Sequence, residues 1–186
     1  DEDGDPHNAA GTYTLSAVPD VDVTIQAPGT RWTTPMLRYN GMQRPPVMRA
    51  RRGDDMFLTL LNELADMSTI HWPGFKVPGP EDGGPTEPVA ANSSRLYNFT
   101  LEQPAASLWF HPHPHGQTAE QVSRGLAGGL LLTDDIDDQR RLGNQVPAVE
   151  HDIPVLVQDR LFEAEVSGER LLTYSDDHMS GFGMLG

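Results

Sequence analysis

The sequence predicts an all-β domain, folded as an antiparallel sandwich or barrel, on three observations. Short runs of alternating apolar and polar residues recur at roughly 8–12-residue spacing along most of the chain. Glycine and proline, which account for 18 and 16 of the 186 residues, separate these runs. Apolar residues at helical spacing are sparse, so long helices are not expected.

The strands are predicted in chain order from this alternation. They lie at residues 12–15, 21–25, 47–50, 56–62, 69–72, 96–101, 107–113 and 126–133. Residues 76–94, rich in Pro, Gly and Glu, are predicted to form a long loop. One short helix is expected over 119–124, with Thr118 as its N-cap, Gln121 in the capping-box position and Gly125 as its C-terminal stop.

The pattern divides the chain into four segments. Residues 1–11 are expected to be disordered, and residues 12–134 to form a complete first domain. The acidic run at 134–138 begins a polar linker, assigned to 135–150. Apolar residues from Ile153 then start a new strand, so 151–186 is expected to open a second domain. This segment is too short for a sandwich of the usual ~100 residues, so we expect the rest to be removed, disordered or supplied by another chain.

Composition excludes several kinds of function. The formal net charge of -14, from 27 acidic and 13 basic residues, disfavours nucleic acid as a partner. No run of apolar residues is long enough to predict a membrane span. Cysteine is absent, which excludes disulfides, iron–sulfur clusters, zinc–thiolate sites and a cysteine nucleophile. It also excludes a blue-copper site within this chain, since that site needs a thiolate.

Histidines recur at every second position between residues 108 and 116, as His111, His113 and His115. A fourth, His71, lies upstream. In an extended strand alternate side chains share one face, so His111 and His113 can point two imidazoles at one spot. Imidazole is a common ligand of copper, zinc and iron. The alternative interpretation is a run of surface histidines beside prolines.

Four motifs in order resemble the N-terminal cupredoxin domain of multicopper oxidases, and most closely the bacterial laccase and copper-efflux oxidase branch. They are His-Trp-x-Gly at 71–74, Asp-Gly-Gly-Pro at 82–85, Trp-Phe-His-Pro-His at 109–113 and Gly-Leu-Ala-Gly at 125–128. Residues 155–159, Val-Leu-Val-Gln-Asp, resemble the start of that family's middle domain. The similarity runs from about residue 12 to the end of the sequence.

The resemblance implies a cupredoxin-like Greek-key β-sandwich and a copper cofactor. It implies an oxidase that takes single electrons from a donor and reduces dioxygen to water at a trinuclear copper cluster between the first and last domains. By position, His71 matches a ligand of the type 2 copper, and His111 and His113 match ligands of the type 3 pair. The natural partners are then the C-terminal cupredoxin domains of the same protein, and this chain alone is expected to be inactive.

The same resemblance implies an exported protein, periplasmic or secreted. The donor stays open among phenols, Cu(I), Fe(II) and Mn(II), because the family's substrate pocket lies mostly outside the first domain. An uncovered ligand face is expected to promote homo-oligomers.

Two positions near the histidines, Pro73 and His115, are not expected to bind metal. The family's first motif is His-x-His-Gly, and Pro73 stands where a type 3 ligand is expected, with no nitrogen to offer a metal. Its place in the presumed strand puts it on the same face as His71. His115 is expected to support the site from behind the ligands rather than bind metal. Trp72, and Trp109 with the following Phe, are expected to pack in the core.

Two alternatives remain open from the sequence. One is a copper-poor relative that acts as a structural or protein-binding factor in the cell envelope, as in the cell-division branch of the family, and Pro73 favours it. The other is a mononuclear copper carrier that uses His71, His111 and His113. The copper content of the full-length protein distinguishes the three: a full complement, none, or a single ion.

Overall fold

The computed structural model describes residues 12–147, 151, 153–160 and 162. The predicted disordered segment 1–11, and the second-domain segment beyond residue 162, lie outside the described residues. The described part forms seven strands: β1 Thr12–Ala27, β2 Thr30–Tyr39, β3 Val47–Arg51, β4 Asp55–Asn62, β5 Ser93–Thr100, β6 Ala106–Phe110 and β7 Gly128–Thr133. It also contains helices α1 Thr118–Ser123 and α2 Asp135–Leu142, and a 3-10 turn at Gly79–Glu81. None of the described helices is long and apolar enough to cross a membrane.

Two sheets make the sandwich, with strand orders β2-β1-β4-β5 and β3-β7-β6. Neighbouring strands run antiparallel except in the pairs β1–β4 and β3–β7, which are parallel. The prediction of a purely antiparallel sandwich is therefore wrong for these two pairs. The chain changes sheet after β2, β3 and β5, so non-consecutive strands become neighbours. Alternation in a sequence indicates which face is buried, but not the direction of the adjacent strand.

The core lies between the sheets and follows the predicted alternation. In β4, buried and half-buried residues alternate from Met56 to Asn62. Trp72, only 1% exposed, packs between the sheets, with its ring centroid 5.3 Å from Phe99 and 5.7 Å from Phe110. The core positions predicted for Trp72 and Phe110 are confirmed.

The first two predicted strands are one continuous strand, β1, whose register with β2 shifts between Val18 and Val21. Strand β2 was not predicted at all. Its buried face includes Thr34 and Arg38, which breaks the apolar alternation, and Pro35 lies within it. Proline is tolerated there because β2 is the edge strand of its sheet.

Helix α1 forms where predicted and Gly125, with φ +120°, follows its end. Its capping differs from the prediction. The N-cap is Gln117, and the Thr118 hydroxyl donates to the Pro114 carbonyl at 3.0 Å. Gln121 does not cap the helix; it is buried and joins α1 to another segment.

The predicted linker contains helix α2 rather than irregular chain throughout. Asp134 caps the helix, accepting from the backbone N–H groups of Ile136 and Asp137 at 2.9 Å. The acidic run thus forms the first turn of a helix whose last turn contains Arg140 and Arg141. Both sets of charges interact favourably with the helix dipole. The strand predicted from Ile153 is not formed within the described residues; Ile153, Val155 and Val157 are more than three-quarters exposed.

Candidate metal centre

His71 and His111 lie side by side because their backbones form a single antiparallel bridge. The N–H of His71 donates to the His111 carbonyl at 2.8 Å, and the N–H of His111 to the His71 carbonyl at 3.2 Å. The strand predicted at 69–72 is reduced to this bridge, and β6 ends at Phe110, just before the histidines. Two loop segments, rather than two full strands, therefore carry the imidazoles.

The three predicted rings converge. The ring centroid of His71 lies 5.4 Å from that of His111 and 5.1 Å from that of His113, and the latter two are 5.9 Å apart. The backbone N–H of His113 donates to the Thr69 hydroxyl at 2.7 Å, which ties the second histidine segment to the first. The sequence predicted this convergence, although Thr69 was not among the residues it indicated.

His71 is oriented by Asp82. Its Nδ1 lies 2.9 Å from the Asp82 carbonyl oxygen and 3.2 Å from the carboxylate oxygen Oδ1. Because a carbonyl oxygen can only accept, Nδ1 carries the proton in this contact, and the lone pair is on Nε2. A histidine that donates one ring nitrogen to such a partner is fixed in the state that binds a metal through the other.

His111 is oriented in the same way by its own chain. Its Nδ1 lies 2.8 Å from the Pro112 carbonyl oxygen. Burial lowers the pKa of the His111 imidazole from 6.5 to about 4, against the raising effect of that carbonyl, and the nearby rings of His71 and His113 lower it further. The imidazole is therefore neutral near pH 7, as a metal ligand must be.

The Nδ1 atom of His113 is buried and has no hydrogen-bond partner. A buried polar atom without a protein partner is costly unless a water molecule or a bound metal ion satisfies it. No group of three or more His, Asp or Glu side chains among the described residues encloses a single point suited to one metal ion. The geometry of these residues therefore lends no support to a mononuclear copper carrier.

Asp82 and Gly83 are site residues whose roles the sequence did not reveal. Gly83 has φ +62°, and a Cβ there would lie 1.8 Å from the Ile70 carbonyl oxygen. Glycine lets this loop approach the backbone next to His71 closely enough for the Asp82 contact. The Asp-Gly-Gly-Pro run was the available signal, but it carried no indication of what the loop touches.

Trp109 does not pack in the core as predicted. It is 38% exposed, and its ring stacks on His111 with centroids 4.3 Å apart and planes at 30°. Trp109 and His111 are alternate residues and share a face, whereas Phe110 points into the core. The indole therefore covers one side of the His111 ring.

Pro73 lies in a turn rather than a strand. The N–H of Phe75 donates to the Trp72 carbonyl at 3.1 Å, and Gly74 has φ +81°, as in a type II turn with proline at its second position. The expectation that strand alternation places Pro73 on the face of His71 is wrong, because the chain turns there. Whether Pro73 replaces a ligand stays a prediction.

His115 is exposed in the turn before α1. In the described part of the chain no hydrogen bond or ring contact joins it to the other three histidines. Its supporting role also stays a prediction.

Comparison with known proteins gives a consistent result. The sequence profile described as "Multicopper oxidase" matches residues 21–137. "Multicopper oxidase mco" of Staphylococcus aureus is 36% identical over 128 residues, which are 68% of this chain and 27% of that protein. "Cell division protein FtsP" of Salmonella typhimurium is 34% identical over 154 residues, which are 83% of this chain and 31% of that protein.

Solved structures agree. The McoA multicopper oxidase of Aquifex aeolicus matches with a TM-score of 0.71 at 30% identity, over 90% of this chain and 37% of that one. A laccase of Pediococcus acidilactici matches with a TM-score of 0.62 at 38% identity, over 70% of this chain and 28% of that one. The fold is the predicted all-β, cupredoxin-like Greek-key sandwich. The chain spans about a quarter to a third of the length of the curated relatives it matches.

Proposed function

The chain belongs to the multicopper oxidase family, and on that premise we propose that it is the N-terminal part of an oxidase that takes electrons from a one-electron donor and reduces dioxygen to water. The observation that supports this most is the convergence of the imidazole rings of His71, His111 and His113. In addition, the buried Nδ1 of His113 has no hydrogen-bond partner within the described protein. A bound metal ion would satisfy that nitrogen.

Copper fits this donor set, because neutral imidazole is among its preferred ligands. His71 would hold one copper, and His111 and His113 would contribute to a neighbouring pair. Bound copper would supply the one-electron redox chemistry. The other ligands, and the thiolate of a blue-copper site, would come from C-terminal cupredoxin domains, since this chain contains no cysteine.

The chain's own residues prepare the site. Asp82 holds the proton on Nδ1 of His71, and the Pro112 carbonyl does the same for His111. Burial keeps His111 uncharged, and Trp109 shields one face of its ring from water. Ligands held in this way need little reorganisation when a metal binds.

The remaining assignments follow from this proposal. Residues 12–134 would be the first cupredoxin domain, 135–150 the connection that contains α2, and 151–186 the start of the second domain. The donor would be a phenol or a metal ion, and the protein would act in the periplasm or outside the cell. The exposed apolar residues at 153–157 would be covered by the rest of that second domain or, in the isolated chain, by another copy.

A second candidate is a copper-poor factor with a structural or protein-binding role in the cell envelope. Pro73 supports it, because that residue cannot bind metal where the family pattern has a histidine. The similarity to a protein described as a cell division protein supports it as well. The convergence of His71, His111 and His113 argues against it, since a domain without metal binding has no need to keep three imidazoles together.

Oxygen consumption by the full-length protein with a phenolic donor, after reconstitution with Cu(II), tests the proposal. We expect turnover in the wild type and its loss in His113→Ala. His151→Ala is the matched control, because His151 is an exposed histidine to which no role at the site is assigned, and it should retain activity. A reconstituted wild type that binds no copper and consumes no oxygen would favour the structural factor.

A further inference from the structure

One side chain, Arg95 of strand β5, bonds the loop that carries Asp82 on both sides of that residue. The guanidinium donates from Nη1 to the Glu87 carbonyl at 3.1 Å and to the Glu87 carboxylate at 3.3 Å. From Nη2 it donates to the Pro80 carbonyl. Pro80 precedes Asp82 in the sequence and Glu87 follows it. Arg95 therefore forms hydrogen bonds to the loop on both sides of the residue that orients His71.

The side chain of Arg95 packs against Tyr97. It points to the same side of β5 as Tyr97, and its guanidinium carbon lies 4.9 Å from the centroid of the Tyr97 ring. Tyr97 is fully buried, and its hydroxyl accepts from the backbone N–H of Ile70 at 3.0 Å. The strand residue that supports Arg95 therefore also contacts the residue that precedes His71.

Each of the other contacts of the loop holds one limb or prevents collision. On the second limb, Val89 pairs with Ser68 through two backbone hydrogen bonds of 2.8 and 2.9 Å. Glu81 is fixed by Trp72, whose Nε1 donates to the Glu81 carbonyl at 3.1 Å, and by the backbone N–H of Asn98, which donates to the Glu81 carboxylate at 2.9 Å. Gly83 allows the close approach to Ile70 but adds no attraction. Among the described residues, Arg95 is the side chain that bonds both limbs of the loop.

We propose that Arg95 is a positioning residue for the copper centre, which holds Asp82 against His71 by bonding the loop on both sides of it. The metal part of this statement rests on the proposed function, whereas the Asp82–His71 contact does not depend on copper. The contacts of Arg95 within the described residues are to Pro80, Glu87 and Tyr97 and not to the three histidines, so its effect on His71 must pass through the Asp82 loop.

The test uses the full-length protein with three variants. Arg95→Met keeps an apolar stem over Tyr97 and removes every donor. Arg95→Lys keeps the cation, but its single ammonium lacks the fork that reaches both limbs. Thr100→Val is the matched control, because it removes a side-chain hydrogen bond to Asp55 from the far end of the same strand and does not touch the loop.

The first readout needs no metal. The imidazole nitrogen resonances of His71, measured by NMR in the copper-free protein, report which ring nitrogen carries the proton. We expect one state with Nδ1 protonated in the wild type and in Thr100→Val, a mixture of both states in Arg95→Met, and an intermediate result in Arg95→Lys. An unchanged His71 signature in Arg95→Met would overturn the proposal. If Arg95→Met fails to fold, Arg95→Lys decides the question by the same criterion.

The second readout is Cu(II) affinity, with the electron paramagnetic resonance spectrum of the copper at His71. We expect Arg95→Met to weaken binding by about tenfold, at the lower end of the range for groups that orient a ligand. Thr100→Val should leave both unchanged, and an equal loss in that variant would mean that Arg95 acts only on stability. If the wild type binds no copper, the proposed function fails and the metal-free NMR result still decides the role of Arg95.

Discussion

At the level of single residues, each of the three histidines is held by a different contact. Asp82 orients His71, a neighbouring carbonyl orients His111, and Thr69 holds the backbone of His113. The sequence predicted that the rings would converge, because alternation in Trp-Phe-His-Pro-His needs no knowledge of the fold. It could not predict these contacts, since all but the Pro112 carbonyl come from residues distant in sequence.

Protonation of His111 should make the stability of the copper-free protein depend on pH. Burial lowers the folded-state pKa of His111 from 6.5 to about 4. The free energy of unfolding is therefore highest above pH 6.5 and falls as pH falls towards 4, because the unfolded chain takes up the proton first. The loss is on the order of 3 kcal/mol at most. Urea unfolding between pH 4 and 8 measures it. His111→Gln should remove this component and His115→Gln should not; the same pH profile in wild type and His111→Gln would contradict the assignment.

Replacing Pro73 by histidine completes the family's His-x-His-Gly motif, in which this position binds a type 3 copper, and should therefore add a copper ligand. The second position of a type II turn accepts any L-residue, so the turn should survive. The loss of proline's restraint on the unfolded chain should cost about 0.4–1 kcal/mol. Copper per protein in the full-length Pro73→His variant should rise relative to wild type. No gain in copper, with the turn intact, would show that Pro73 does not occupy a lost ligand position.

At the level of elements, the adjacent glycines Gly83 and Gly84 of the Asp82 loop differ in how close other atoms lie to them. A Cβ on Gly83 meets the Ile70 carbonyl at 1.8 Å, whereas a Cβ on Gly84 meets nothing within 4 Å. Gly83→Ala should therefore displace the loop from His71 and reduce stability by about 1–3 kcal/mol. Gly84→Ala should be close to neutral. Denaturant unfolding and Cu(II) titration check both, and equal effects of the two substitutions would contradict this description of the loop.

The strands show why a sequence predicts some elements and not others. Strand β4 was predicted because apolar residues occupy its buried positions without exception until Asn62. Strand β2 was missed because it buries a threonine and an arginine and contains Pro35. The pairing of β1 with β4 in parallel could not be predicted either, because it depends on where the chain changes sheet. The local sequence pattern predicts which residues are buried, but it does not predict which strands become neighbours or in which direction they run.

At the level of the whole molecule, the apolar residues at 153–157 are exposed in this chain and should cause it to self-associate. Ile153, Val155 and Val157 are 83%, 78% and 88% exposed. Sedimentation velocity of the 186-residue chain should show concentration-dependent association that decreases in the double variant Val155→Lys, Val157→Lys. Leu142→Lys, which replaces an isolated residue that is 85% exposed, is the control for added charge. Association equal in both variants would place the contact elsewhere.

We propose that this domain binds copper through His71, His111 and His113 within a larger oxidase. Anomalous diffraction at the copper absorption edge, from crystals of the reconstituted full-length protein, tests it most directly. We expect anomalous peaks about 2 Å from ring nitrogens of these three histidines, and the loss of the peaks next to His111 and His113 in a His111→Ala, His113→Ala variant. A wild-type map with no copper within bonding distance of any of the three rings would contradict it.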